Sequence, residues 1–171
     1  METFIRIKKY LIQMLDILLI LAVAALVFDV VWGVFSRHIL NAQTKWTEEL
    51  ARYLLIWVSL LGGAVAFGTK SHLGVDYFVG KLDPAGRKLM ALTSYCVVLF
   101  FAVAVFLVGG CRVVADAFAM EQMTPALGWK MGYVYLALPI AGFFITLFTL
   151  ENMLETWATP VAEFDTDKEV I

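Results

Sequence analysis

The residues that could do chemistry are few, and they stand in an otherwise apolar chain. Of its 171 residues, 61% are hydrophobic and 16% are charged, whereas soluble domains are nearer half apolar and a quarter charged. The densest polar group runs from Trp46 to Arg52, contains Glu48 and Glu49, and leads directly into an apolar segment. These groups can form ion pairs, but nothing beside them resembles a nucleophile with its base. We therefore predict that the chain is not an enzyme.

Helical geometry divides this stretch and the apolar segment after it into two faces, at about 100° per residue. One face is large and aromatic: Trp46, Leu50, Tyr53, Trp57, Leu60 and Ala64. The other is polar at its start and contains small residues further along: Glu48, Arg52, Leu55, Ser59, Gly62 and Ala66. The spacings of Ser59 to Gly63 and of Gly62 to Ala66 allow another helix to approach closely.

Two interpretations of the polar face stay open. In the first, Glu48 and Arg52 form a solvated ion pair four residues apart, at the interfacial start of a helix. In the second, the face docks against a neighbouring helix or subunit, since charge at membrane depth normally faces protein rather than lipid.

Two aspartates, Asp16 and Asp29, lie within the first apolar segment. Asp16 is close enough to the N-terminal lysines to reach the lipid headgroups, whereas Asp29 needs a partner, for which we expect Arg37 or Arg52. A proton- or ion-carrying role is the open alternative. A relay usually needs several ionisable groups at mid-membrane, and residues 17–28 contain none.

The two histidines, His38 and His72, are predicted to lie in loops on opposite sides of the membrane. A haem b site needs two axial histidines that face each other, so we predict neither a haem nor a metal site. No basic patch suited to nucleic acid is present, and we predict no cofactor.

Four apolar segments must position these residues, and they cover residues 11–35, 50–67, 89–108 and 131–148. Each is close to the roughly 20 residues that a helix needs to cross a bilayer core. We therefore predict an all-α integral membrane protein with four transmembrane helices, in which the second span has an interfacial helical start. Residues 1–160 form its single domain, and residues 161–171 form an acidic, disordered tail.

Flanking residues refine this layout. Asp83 and Pro84 are typical of the N-cap and first position of a helix, and Pro139 is expected to kink the fourth span. Eight of the thirteen lysines and arginines flank the spans on the side of the termini, and five lie on the other side. Positive charge prefers the cytoplasm, so both termini are predicted to be cytoplasmic.

Three stretches in register carry a resemblance to a known family. The first is Arg37-His38, followed by Trp46-Thr47-Glu48-Glu49-Leu50-Ala51-Arg52 and Trp57. The second is Gly62-Gly63-Ala64, followed by Ser71-His72-Leu73-Gly74-Val75-Asp76. The third is Thr124-Pro125-Ala126-Leu127-Gly128-Trp129, which runs into residues 135–142 around Pro139. Together they resemble the small membrane (Q-type) subunit of tripartite ATP-independent periplasmic (TRAP) transporters, although His38 replaces the family's usual aromatic residue.

The resemblance implies a multi-pass protein of the bacterial inner membrane, surrounded by membrane lipids. Its partners would be a large multi-span TRAP membrane subunit and a periplasmic substrate-binding protein, with no nucleic acid. The large subunit would bind substrate and sodium and drive organic-acid uptake, and this chain would be its scaffold. The subunit-interface and structural candidates are Trp46, Glu48, Glu49, Arg52, Trp57, Gly62, Gly63, His72, Asp76 and Pro139.

Two other classes of membrane protein predict different sequence features. A self-contained homo-oligomeric four-helix transporter or channel should place an essential charge at mid-span. A membrane anchor of a quinone-linked oxidoreductase should have paired intramembrane histidines, and the positions of His38 and His72 speak against it.

Overall fold

The computed structural model describes residues 2–39, 45–69 and 83–160, and most of these residues are helical. The four long helices are α1 (Glu2–His38), α2 (Lys45–Gly68), α3 (Pro84–Ala119) and α4 (Met131–Ala158). Each is long and apolar enough to cross a membrane, which confirms the predicted all-α fold with four spans. His72, Asp76 and the tail lie outside the described residues, so the domain boundary at residue 160 and the cytoplasmic termini stay predictions.

The helices extend beyond the apolar segments that predicted them. α2 begins at Lys45 and includes the whole polar stretch, as the interfacial start required. α3 has 36 residues, because an amphipathic segment, Gly110–Ala119, prolongs it past the end of the apolar run. Asp83 and Pro84 take the N-cap and first positions, but the Asp83 side chain makes no capping hydrogen bond.

Helix α4 is interrupted three residues before Pro139, as expected for a proline inside a span. Regular helix covers Met131–Tyr135 and resumes at Ala137–Ala158, with Leu136 between them. Proline has no N–H to donate to the carbonyl four residues earlier, and its ring crowds that carbonyl. The interruption leaves a short helical turn that connects the preceding loop to the long part of α4.

The helices pack in the order α1, α2, α4, α3, so that α2 and α4 form the centre of the bundle. Their core is made of aliphatic and aromatic side chains from all four helices: Leu15, Leu61, Ala64, Ala102, Ala141, Phe144, Ile145 and Phe148. Helix α1 packs mainly on α2 and is joined to α4 by an ion pair between Lys8 and Glu151 at 3.2 Å, and many of its large apolar side chains are exposed. In a membrane such a surface meets lipid or another subunit.

The α3–α4 contact depends on a close approach at Gly142. A Cβ at this position would lie 2.5 Å from Phe106 Cβ, well inside the ordinary separation of about 3.5–4.0 Å between carbon atoms. Phe106 belongs to a π-helical segment of α3, Ala102–Gly109, where the widened turn brings this part of the helix against α4. Glycine is therefore required for the packing.

Candidate functional site

The side chain of Glu49 joins the start of α2 to the loop between α3 and α4. Its Oε2 accepts hydrogen bonds from the backbone N–H groups of Ala126, at 2.7 Å, and Leu127, at 3.0 Å. Its Oε1 accepts a hydrogen bond from the Tyr53 hydroxyl at 2.7 Å. Glu49 is only 8% exposed, so these three donors take the place of water around the carboxylate.

The loop that Glu49 holds has its own internal hydrogen bonds. The N–H of Thr124 donates to the carbonyl of Trp129 at 2.8 Å, and the N–H of Trp129 donates to Thr124 Oγ1 at 2.9 Å. The N–H of Gly128 donates to the Thr124 carbonyl, and Gly128 has a φ of +66°, which glycine adopts without strain. This turn aims the two N–H groups of Ala126 and Leu127 at one carboxylate.

Two of the three stretches that carry the family resemblance therefore meet in space, although Glu49 and Ala126 are 77 positions apart. Sequence reasoning singled out both stretches but did not pair them, since helical spacing relates only residues within a few turns. We call the contact of Glu49 with Tyr53, Ala126 and Leu127 the Glu49 clamp. It fixes the loop to the start of α2 and can position a recognition surface, but it contains no nucleophile paired with a base.

Glu48 pairs with α1 rather than within its own helix. Its Oε1 lies 2.7 Å from Nη2 of Arg37, and the two side chains are 57% and 56% exposed. The predicted Glu48–Arg52 pair is therefore wrong in the described structure. Exposed ion pairs stabilise by only about 0–1 kcal/mol, so the tertiary placement of Arg37 was enough to change the partner.

Asp29 is buried without a partner. It is 3% exposed, and neither carboxylate oxygen has a hydrogen-bond partner among the residues that the structure describes. The expected pairing with Arg37 or Arg52 is wrong, because Arg37 is engaged by Glu48 and Arg52 is exposed on α2. Asp29 lines a cleft of about 200 Å³ between α1 and α2, which Arg37, Thr47 and Glu48 also line.

Within the described residues, no helix packs over most of the polar face of α2. Glu48, Arg52, Leu55 and Ser59 are all exposed, and Leu55 retains 55% of its surface. Among the described residues, none lies within 4 Å of a Cβ built at Gly63, whereas one built at Gly62 meets Leu19 of α1 at 3.9 Å. Gly62 thus turns partly toward α1, and Gly63 is the more open of the two.

The aromatic face divides between surface and core. Trp57 packs against the hydrophobic core, while Trp46 at the start of the helix stays 39% exposed. Trp57 is therefore positioned as a structural residue. Whether Trp46 and the charged residues beside it contact a partner remains a prediction.

Polar contacts at the opposite end of the bundle were missed by sequence reasoning. Lys88 Nζ donates to the carbonyls of Trp157, at 2.9 Å, and Thr159, at 2.7 Å, and so caps the C-terminal end of α4. The fully buried Asn152 donates from Nδ2 to the carbonyl of Phe67 at 3.1 Å. A lysine at the start of one helix and an asparagine near the end of another are common features, and no local spacing distinguishes them.

The described part of the chain holds no group of three or more histidine, cysteine, aspartate or glutamate side chains placed to bind a metal ion. His38 is exposed at the end of α1, with Nδ1 3.1 Å from the Val34 carbonyl. The chemistry of the described site is thus hydrogen bonding, ion pairing and helix packing.

Comparison with known proteins agrees with this description. The family model of the DctQ component of tripartite ATP-independent periplasmic transporters matches residues 26–159. The chain is 30% identical to the sialic acid TRAP transporter small permease protein SiaQ of Vibrio cholerae, over 85% of this chain and 83% of that protein. It is 27% identical to the C4-dicarboxylate TRAP transporter small permease protein DctQ of Rhodobacter capsulatus, over 56% of this chain and 41% of that protein.

A third relative is much longer than this chain. The isethionate TRAP transporter permease protein DctMQ of Oleidesulfovibrio alaskensis is 26% identical over 72% of this chain, and the match covers 20% of that protein. The family match extends over the spans that carry the Glu49 clamp and the polar face of α2. The chain therefore belongs to the DctQ family, the small permease components of tripartite ATP-independent periplasmic transporters, and is a multi-pass protein of the bacterial inner membrane.

Proposed function

We propose that this small permease subunit scaffolds a large membrane subunit, which binds substrate and sodium and carries out organic-acid uptake. The observation that carries the proposal is the uncovered polar face of α2. Glu48 and Arg52 are exposed at one end of this face, and Leu55 and Ser59 continue it along the helix. A second helix packed there would shield the charged groups from lipid and bury the apolar ones.

The longer relative DctMQ supports the same proposal. Its matched region is one fifth of its length, so a chain like this one is joined there to a much larger permease. The named substrates of the three relatives are sialic acid, C4-dicarboxylate and isethionate. All three are organic acids, which favours that class for this system without selecting one member.

In this scaffold the Glu49 clamp would hold the loop between α3 and α4 in a fixed position against α2. By the distribution of lysine and arginine, the clamp and the loop that it holds lie on the periplasmic side, and both termini lie in the cytoplasm. A rigid loop there gives a periplasmic substrate-binding protein a defined surface to meet. It also keeps the outer end of α2 in one orientation toward the large subunit.

The first test is a mild-detergent purification of the tagged chain from its native membrane, followed by mass spectrometry. We expect one large, many-span membrane protein in near-equal amount. Recovery of this chain alone, as a stable homo-oligomer, would contradict the scaffold proposal and favour a self-contained transporter.

The second test replaces the charges of the polar face. Glu48→Ala and Arg52→Ala are each expected to reduce both co-purification of the large subunit and uptake, while the lone chain keeps its thermal stability. Lys9→Met is a matched control, since Lys9 is exposed on a different helix. Unchanged co-purification and uptake in both α2 variants would count against docking at this face.

A further inference from the structure

The buried carboxylate of Asp29 has no countercharge among the described residues of the lone chain. A carboxylate removed from water without a hydrogen-bond donor or a countercharge is strongly disfavoured. The Asp29 side chain is only 3% exposed, and neither oxygen has a well-formed hydrogen bond in the described structure, although the backbone N–H of Ala51 lies nearby. Asp29 is among the residues that line the cleft, although its two oxygens are shielded by their neighbours. A donor from outside the chain can reach the carboxylate through the cleft once the side chains at its mouth move aside.

The described cations of the two helices that form the cleft do not pair with Asp29. Lys8 pairs with Glu151, and Lys9 and Lys45 are exposed and do not line the cleft. Arg37 is eight residues further along α1, about 12 Å by helical rise, and its guanidinium is held by Glu48. Arg52 is exposed on the outer face of α2. Glu48 and Asp29 both line the cleft, with Arg37 and His38 as its basic residues. Since Glu48 holds Arg37, the described lining leaves no arginine or lysine for Asp29.

We propose that this cleft receives a lysine or arginine side chain of the large membrane subunit, which forms an ion pair with Asp29. The proposal rests on the scaffold function proposed above and names a specific contact within it. Glu48 belongs both to the cleft and to the uncovered face of α2, so a helix docked on that face lies beside the cleft mouth. A long basic side chain from such a helix can extend inward to the carboxylate.

The depth of Asp29 favours a protein side chain over a lipid headgroup. Arg37 lies one residue from the end of α1, where the headgroups of the outer leaflet are expected. Asp29 is about 12 Å further inward by helical rise. An ammonium carried by a lipid at the headgroup level is closer to Glu48 than to Asp29, whereas a basic residue on a transmembrane helix can stand at the depth of Asp29.

The test uses Asp29→Asn and Asp29→Leu in the chain co-expressed with its large subunit, with Asp16→Asn as the control on the same helix. Removing one partner of a buried interfacial charge pair typically weakens association by about 30-fold or more. We expect this loss of large-subunit retention for both Asp29 variants, and wild-type retention for Asp16→Asn. The thermal midpoint of the lone chain should be unchanged or higher in both Asp29 variants, because an unpaired buried carboxylate is removed.

A charge exchange adds a second readout. Asp29→Lys should abolish retention of the large subunit. Retention should return when the lysine or arginine that pairs with Asp29, in a span of the large subunit, is changed to glutamate. A purely structural aspartate would not respond to such a change in the other chain. No rescue by any of these substitutions would overturn the proposal.

Other outcomes are equally decisive. Full retention of the large subunit by both Asp29→Asn and Asp29→Leu would show that no partner cation binds there. A lower thermal midpoint of the lone chain in both variants would show a structural role within this chain. Loss of a co-purifying aminophospholipid, with the large subunit retained, would assign the site to a lipid ammonium. Failure of the wild-type chain to retain any large subunit would instead refute the scaffold function, and this contact with it.

Discussion

Two glycines on the central helices, Gly142 and Gly63, allow the α3–α4 packing to be tested by the same substitution in two environments. In Gly142→Ala the new methyl group would lie 2.5 Å from Phe106 Cβ and 3.2 Å from the backbone nitrogen of Leu107. In Gly63→Ala it would meet nothing within 4 Å. Neither obstacle near Gly142 is the end of a flexible side chain, so α3 and α4 must separate.

The expected magnitude follows from those distances. A carbon–carbon separation of about 3.5–4.0 Å requires the helices to move apart by about 1.0–1.5 Å at this point. Overpacking of this kind typically costs about 1–3 kcal/mol. Both variants gain the same helix propensity from the exchange of glycine for alanine, so that contribution cancels between them. With about 2–4 °C per kcal/mol for a chain of this size, Gly142→Ala should melt about 2–12 °C below Gly63→Ala.

The assay is thermal unfolding of the purified lone chain in detergent, followed by circular dichroism. Equal midpoints for the two variants would refute the close α3–α4 contact. The same pair also separates packing from docking: Gly63→Leu should leave the midpoint of the lone chain close to that of the wild type but reduce retention of the large subunit. Full retention by Gly63→Leu would remove Gly63 from the docking surface.

Two further predictions concern contacts that join distant segments. Glu49→Ala should speed hydrogen exchange at the Leu127 amide by roughly tenfold, because the amide loses its acceptor. Glu48→Ala, which removes the neighbouring carboxylate, is the matched control. An unchanged exchange rate in Glu49→Ala would contradict the Glu49 clamp. Lys88→Met should lower the stability of the lone chain by about 1 kcal/mol, since the capped carbonyls of α4 lose a charged donor. Thermal unfolding against Lys9→Met checks this, and equal midpoints would refute the capping contact.

The number, type and order of the spans were predictable because they depend on local properties. A run of about 20 apolar residues must become a helix to satisfy its backbone in lipid, whatever its neighbours are. The same holds for Pro139, whose missing N–H interrupts α4 in any tertiary setting. The family resemblance was carried by short motifs in register, which are also readable along the chain.

The boundaries of α3 were less predictable for a related reason. Hydropathy marks where a helix leaves the apolar layer, not where its hydrogen bonds end. Gly110–Ala119 continues as helix with charged residues on its exposed side, so the observed element is longer than the predicted span.

The pairing of polar groups was decided by the tertiary structure. Glu48 has Arg52 within helical reach on α2, yet it pairs with Arg37 on α1. An exposed ion pair with either arginine stabilises by only about 0–1 kcal/mol, so the packing of α1 against α2 decides which arginine is the partner. Glu48 and Glu49 look equivalent in the sequence. In the structure Glu48 is exposed at the surface, whereas Glu49 accepts hydrogen bonds from the N–H groups of Ala126 and Leu127.

The sequence by itself determined that this protein crosses the membrane four times and belongs among the small permease subunits, because hydropathy and motif order are properties of the chain alone. Only the tertiary structure decided that Glu49 holds a distant loop, that Asp29 is buried beside a cleft, and that one face of α2 is left uncovered. These features arise from contacts between residues on different helices, and such contacts depend on the packing of the whole bundle rather than on spacing within any one segment.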